Sequence, residues 1–163
     1  MSKFAIDDGI THIPSIKRWQ VSRDVVSGKI ATLGLEPLYP GVHADYRYTD
    51  EEGGANLLPH LVLKSSLYKP TFTCINYAFR VWDLCGSLYG LNTWVPVIGK
   101  IPAAPDVRHA WILILLGDIL GIDLDRSLYF EPNSGFEMGT ELEMAYQAFP
   151  IGEAGYKGEM AFY

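Results

Sequence analysis

The sequence predicts an α+β domain, and three observations predict it. Residues 71–85 carry apolar side chains at helical spacing. Three strand-like runs rich in β-branched and aromatic residues follow at 91–98, 110–116 and 127–130, divided by Gly, Pro and Asp turns. Helical patterns therefore come first and a strand meander second, the order of an α+β fold rather than of alternating βαβ units. At 163 residues, 48% hydrophobic and 20% charged, the chain is expected to form one domain, 1–163, with a proper core.

Residues 1–13 show no clear period. Residues 13–26 place Ile16, Trp19, Val21, Val25 and Val26 at roughly helical spacing, with Pro14 as first helical residue, and predict a short helix closed by Gly28. Residues 29–35 read as a brief extended segment, broken by Pro37, Pro40 and Gly41. Residues 42–48 alternate weakly and read as a strand. Residues 50–54 are a polar turn, and its acidic side chains are expected to be a solvated loop rather than a cation site. Residues 57–67 are apolar and fit either a short helix or extended chain; His60 lies among them.

Gly90 is expected to end the helix of 71–85. Pro96 marks the next strand as an edge or bulged one, because proline cannot donate to a ladder. Residues 99–107, with Pro102 and Pro105, read as a loop able to flank a cleft. Residues 111–116 are almost continuously apolar and predict a central strand covered on both faces. Residues 117–125 are a polar hairpin loop; Asp118, Asp123 and Asp125 lack the spacing of a calcium loop. Thr140-Glu-Leu-Glu143 matches a capping box for a helix over 141–149, stopped by Pro150. Residues 157–163 read as a last edge strand.

Charge and composition exclude several functions. The net charge is −6 and the pI about 5.1. Both argue against nucleic acid, which needs a basic footprint, and against an anionic membrane surface. The longest apolar run, 110–116, is far too short to span a bilayer, and residues 1–8 do not have the form of a signal peptide. The expectation is a soluble, cytoplasmic protein. Cys74 and Cys85 on one helix would lie about 16 Å apart along its axis, beyond the roughly 7 Å that a disulfide allows.

The chemistry centres on Cys74. Thr71 or Thr73 can cap the helix, so Cys74 falls in its first turn, beside free backbone amides and the positive end of the dipole. That setting favours a thiolate. Downstream, His109 enters the apolar strand, and Glu131 ends the strand of 127–130, followed by Pro132 and Asn133. A cysteine, a histidine and an acid in these places supply a nucleophile, a base and an orienter of the base. His60 is the weaker candidate base.

These segments, Cys74-Ile-Asn-Tyr-Ala, His109-Ala-Trp and Tyr129-Phe-Glu131-Pro-Asn, resemble the core of the transglutaminase-like, papain-related cysteine proteins. The resemblance covers roughly residues 70–135. It implies a central helix bearing the cysteine, packed on an antiparallel sheet. It also implies a Cys74–His109–Glu131 triad acting through a thioester on a peptide or amide substrate, with no cofactor. Glu131 departs from the commoner Asp. Asn133 is the alternative orienter, in the manner of the Asn of papain-like enzymes. Asn76 and Trp94, with Tyr68 and Tyr77, are candidate second donors to an oxyanion. The rival reading is a catalytically inactive binding or structural module. It would present tyrosines from among Tyr39, Tyr46, Tyr48, Tyr68 and Tyr89 to a partner.

Overall fold

A computed structural model describes residues 15–38, 43–134, 136 and 147–163. The architecture is α+β. A six-stranded sheet carries a helix on each face.

The chain enters through β1 (Trp19–Ser22), which pairs antiparallel with β3 (Asp45–Tyr48) in a two-stranded ribbon. Between them run α1 (Arg23–Thr32) and β2 (Glu36–Leu38). The predicted helix of 13–26 is thus shifted. Trp19, Val21 and the residues opposite them alternate as a strand, and the helix starts only at Arg23, with Gly28 in its interior. Gly34, at φ 73°, supplies the left-handed turn after that helix. The acidic stretch after β3 is no loop: Asp50 accepts from the Gly53 amide at 2.8 Å and caps α2 (Glu51–Leu61). That bond resolves the type of the apolar segment 57–61 as helix.

Next comes α3 (Cys74–Leu84). A π-helical turn (Cys85–Tyr89) prolongs it, and Gly90, in the left-handed region, closes it as expected. The buried face is Tyr77, Ala78, Val81 and Leu84, continued by Cys85. It is turned from the face that the spacing of Ile75, Ala78, Phe79, Trp82 and Cys85 predicts: Ile75 is exposed, and Phe79 and Trp82 are half-buried. Apolar residues surround most of this helix, so its period alone fits two faces, and the sheet selects one.

The sheet runs in the order β2, β10 (Lys157–Phe162), β4 (Trp94–Ile101), β5 (Ala104–Ile114), β8 (Leu128–Phe130), β9 (Ala148–Pro150). Every pairing is antiparallel except that of β2 with β10. β10 is therefore interior, not the edge strand expected. β4 is interior too. It tolerates Pro96 because the ladder with β10 reaches only to Val97, so the missing N–H falls beyond its end. The presumed loop of 99–107 is mostly hairpin, with Ile101 paired to Ala104. The small hairpin of β6 (Gly117–Asp118) and β7 (Gly121–Ile122) bears out the polar connection. The predicted helix of 141–149 falls largely on residues outside those described, and its last two positions, Ala148 and Phe149, belong to β9.

β5 is covered on both faces, as its sequence predicts. Ala110, Ile112 and Ile114 join Tyr77, Val81 and Leu84 of α3. Trp111 and Leu113 join Val26 and Ile30 of α1 and Tyr46 and Tyr48 of β3. At roughly 1.5–3 kcal/mol for each large apolar side chain buried, these two layers fix β5 against both helices. His109 lies one step before this double-sided core, at the mouth of the sheet.

Candidate active site

Cys74 is the first residue of α3, behind the N-cap Thr73. The Asn76 side-chain oxygen accepts from the Thr73 amide at 2.9 Å, which fixes the first turn. The thiol is half-buried and unpaired, as is the fully buried Cys85.

His109 is 6% exposed and Glu131 is fully buried. Their side chains meet through His109 Nε2 and Glu131 Oε2 at 2.6 Å, a charge-assisted distance. β5 and β8 set this meeting. Ile112 pairs with Phe130, so the residue after Phe130 reaches back toward the entrance of β5. With Nε2 taken by Glu131, Nδ1 is the ring nitrogen left for Cys74, whose thiol lies close enough to the imidazole for each to shift the other's pKa, outside strict hydrogen-bond geometry. Three elements distant in sequence thus deliver a thiol, an imidazole and a carboxylate in line.

The electrostatics follow from that contact. Burial acts to raise the Cys74 pKa, but the hydrogen bond and charge of His109, with the Ala110 main-chain amide, outweigh it and hold the thiol below its ordinary 9.0. Burial acts the other way on His109, yet bonds to Cys74 and Glu131 raise it from 6.5 to about 9. The opposite shifts, thiol down and imidazole up, favour the thiolate–imidazolium form of the pair. Glu131 stands above its ordinary 4.5 because complete burial outweighs the pull of His109 and the Asn133 amide. The 2.6 Å contact thus joins a buried carboxylate to an imidazole whose pKa it helps to raise.

Asn133 supplies its main-chain amide to Glu131 Oε1 at 3.4 Å, a long bond. The side chain that orients the imidazole is thus Glu131, with Asn133 behind it. Of the suggested oxyanion donors, Asn76 is tied by its side-chain oxygen to the Thr73 cap and lines no part of the cavity over Cys74. Trp94 is fully buried in the core against Phe130 and pairs with Ile114, five positions along β5 from His109. It does not face the thiol. Tyr77 donates to the Lys64 carbonyl at 2.8 Å. Tyr68 lines the cavity. His60 lies on α2 and lines no part of it.

A cavity of about 500 Å³ opens over Cys74 and His109, between Tyr68, Ala104, Val107 and Phe136, with Arg108 at its rim. Phe136 stacks on the imidazole at 4.4 Å and 15°. Arg108 is paired with Glu159 at 2.9 Å. The Tyr156 hydroxyl approaches Glu131 closely enough to lower its pKa but outside strict hydrogen-bond geometry. Phe136 and Tyr156 are not legible as site residues: each is one aromatic among many, and what brings it in is tertiary contact, the stacking of Phe136 on His109 and the packing of Tyr156 against Trp111. Among the described residues no group of His, Cys, Asp and Glu has the arrangement of a metal site, and no helix is long and apolar enough to cross a membrane.

No protein-family model matches the chain, and no curated protein matches it.

Proposed function

We propose that this chain is a cysteine-dependent hydrolase or acyltransferase with a papain- or transglutaminase-like core, acting on an amide or peptide bond through Cys74, His109 and Glu131. The observation that carries the reading is the 2.6 Å bond between His109 Nε2 and Glu131 Oε2, which leaves the other ring nitrogen for Cys74. A structural histidine needs a bond to something; it does not need a thiol on one nitrogen and a fully buried carboxylate on the other.

The chemistry runs on side chains alone. Cys74 Sγ attacks the carbonyl carbon while His109 carries the proton taken from the thiol. The tetrahedral oxyanion collapses, the carbon–nitrogen bond breaks, and His109 gives its proton to the leaving amine. Water or a second amine then attacks the thioester, its proton returning through His109, and the thiol leaves. Glu131 holds the imidazole in the required tautomer and offsets its charge.

The cavity wall narrows the substrate. Tyr68, Ala104, Val107 and Phe136 are uncharged, and the Arg108 guanidinium is already paired with Glu159. Tyr68 and Val107 are 56% and 59% exposed, apolar surface left open beside the thiol. An acyl group with an aromatic or aliphatic side chain fits this wall better than a charged one. Of the tyrosines in the alternative reading, Tyr46, Tyr48 and Tyr89 are buried and Tyr68 is exposed; Tyr39 lies outside the described residues.

The test is the pH profile of Cys74 alkylation by iodoacetamide in a Cys85→Ser background. Fast labelling at pH 6–7 that disappears in His109→Ala supports the reading. Labelling that ignores His109 sinks it. A panel of acyl anilides bearing Phe, Asp or Lys beside the scissile bond then tests the substrate preference.

A further inference from the structure

The geometry points to Gln147 as a positioning residue for the proposed site, one that clamps Glu131 and Phe136 in place beneath the imidazole. This inference rests on the reading of Cys74, His109 and Glu131 as a working site.

Gln147 lies opposite Glu131, one step beyond the ladder of β8 and β9, where Phe130 pairs with Ala148. Its carbonyl accepts from the Glu131 amide at 3.0 Å. Its side-chain nitrogen donates to the Asn133 carbonyl at 3.0 Å and, more weakly, to the Phe136 carbonyl at 3.5 Å. One residue thereby holds the main chain at three points. The first carries the carboxylate that orients His109. The second carries the amide that bonds that carboxylate. The third carries the ring stacked on the imidazole.

The backbone marks the position as unusual. Gln147 has φ 57°, the left-handed region, which strains a residue with a Cβ and suits glycine. Glycine there would relieve the strain and keep the carbonyl bond to Glu131. Only the side chain would be lost. A glutamine kept in a conformation that favours glycine is explained by what its amide holds, namely a turn with Asn133 and Phe136 at fixed positions. On the opposite side the same turn is tied by the Leu63 amide to the Pro132 carbonyl at 2.7 Å and by the Ser134 amide to the Leu63 carbonyl at 2.9 Å. The clamp and these ties brace the turn from both sides. Gln147 does not itself line the cavity, so it acts through Glu131, Asn133 and Phe136.

Two variants of the full chain separate the clamp from a merely structural role. Gln147→Gly removes strain and side chain together and is expected to melt no lower than the parent. Gln147→Glu keeps the side-chain length and removes the donor. If the clamp operates, both lower Cys74 alkylation at pH 6–7 by about tenfold, the worth of one well-made hydrogen bond. Both also move the alkylation profile toward that of a free thiol, and the His109 ring, followed by NMR, titrates below about 9. Folded variants with the parent's profile and His109 titration overturn the inference. If parent alkylation is itself indifferent to His109→Ala, the underlying site reading has failed instead, and the two failures are told apart by that single control.

Discussion

The two ends of α3 carry the same side chain and treat it in opposite ways. Cys74 opens the helix, half-buried, against an imidazole, and its pKa is lowered. Cys85 follows the helix, fully buried among apolar side chains, and burial alone drives its pKa well above 9.0. Burial works against ionisation at both ends. What reverses the outcome at Cys74 is a cation that is itself held in place by a buried carboxylate. A helix start with a free thiol is not enough; the difference lies in His109 and Glu131.

The largest expected effect breaks the comparison at its active end. Replacing His109 by Ala removes both causes that most lower the Cys74 pKa, the hydrogen bond and the imidazolium charge. Burial and the Glu131 charge then remain to raise it. Cys74 alkylation near pH 6.5 should fall by roughly a hundredfold or more, and the two thiols should come to resemble each other in pH profile. Retention of the parent rate in a folded variant would place the source of the thiolate elsewhere.

A smaller effect is expected from Glu131→Gln, where two consequences compete. The direct charge of Glu131 slightly raises the Cys74 pKa, and it is the weakest of the contributions there. Its bond and charge also hold the His109 pKa up to about 9. Losing Glu131 therefore relieves the thiol a little and weakens its imidazolium partner more, so the thiolate loses overall. The ion pair exists above the lowered Cys74 pKa and below the His109 pKa. The variant should narrow that window from both sides: the His109 titration moves down from about 9 toward 6.5, and the alkylation profile moves up. Carbon and proton NMR of the imidazole reads the first shift, and iodoacetamide kinetics the second. An unmoved His109 titration would mean the 2.6 Å contact does not set the ring's basicity.

Much of the site could be read from local sequence, for a physical reason. A cysteine in a first helical turn, a histidine entering an apolar strand and an acid ending a strand are all placed by short-range patterning, and the structure brings all three together. The parts that could not be read depend on long-range packing. Phe136 and Gln147 reach the site through stacking and main-chain bonds that no spacing announces. Asn76 has the right neighbourhood in sequence, but its side chain is tied to the cap and lines no part of the cavity. In the fold, the strand of β1 was hidden because apolar residues at 16, 19, 21, 25 and 26 fit a helix about as well. Pro96 marks β4 as an edge or bulged strand and chain-end position marks β10 as an edge, both local signs, whereas strand order is a property of the whole sheet: both are interior, and β4 carries a register shift between Gly99 and Ile101.

Gly99 offers a more modest perturbation near the active end. It pairs with His109 across β4 and β5. A Cβ there would run into the Lys157 carbonyl and the Trp111 ring, and the main chain among these atoms cannot easily give way. Gly99→Ala is expected to cost about 1–3 kcal/mol of stability, as overpacking does. Because Trp111 also stacks near His109 at 6.3 Å, the alkylation rate should change too, though less than in Glu131→Gln. Denaturant midpoints and iodoacetamide kinetics on one sample check both; an unchanged midpoint would show that the bulge between Gly158 and Met160 absorbs the methyl.

The quiet end of the helix supplies the smallest effect and the sharpest control. Cys85 sits in the cluster formed by Leu84, Tyr89 and Leu91 and should not react with iodoacetamide in the folded protein at neutral pH. Cys85→Ala leaves a gap of about one sulfur atom and should cost roughly 1 kcal/mol, a fall of about 2–4 °C in Tm for a chain of this size. Cys85→Ser should cost more, because its hydroxyl enters an apolar site and burying an unpaired hydroxyl costs roughly 1–3 kcal/mol in proteins. Neither change should alter the Cys74 profile, since Cys85 does not figure among the causes of its shift. Comparing the two variants separates packing from polarity at the buried end. If either one moves the Cys74 profile, the two ends of α3 are coupled through the helix, and the contrast between them is not set by His109 and Glu131 alone.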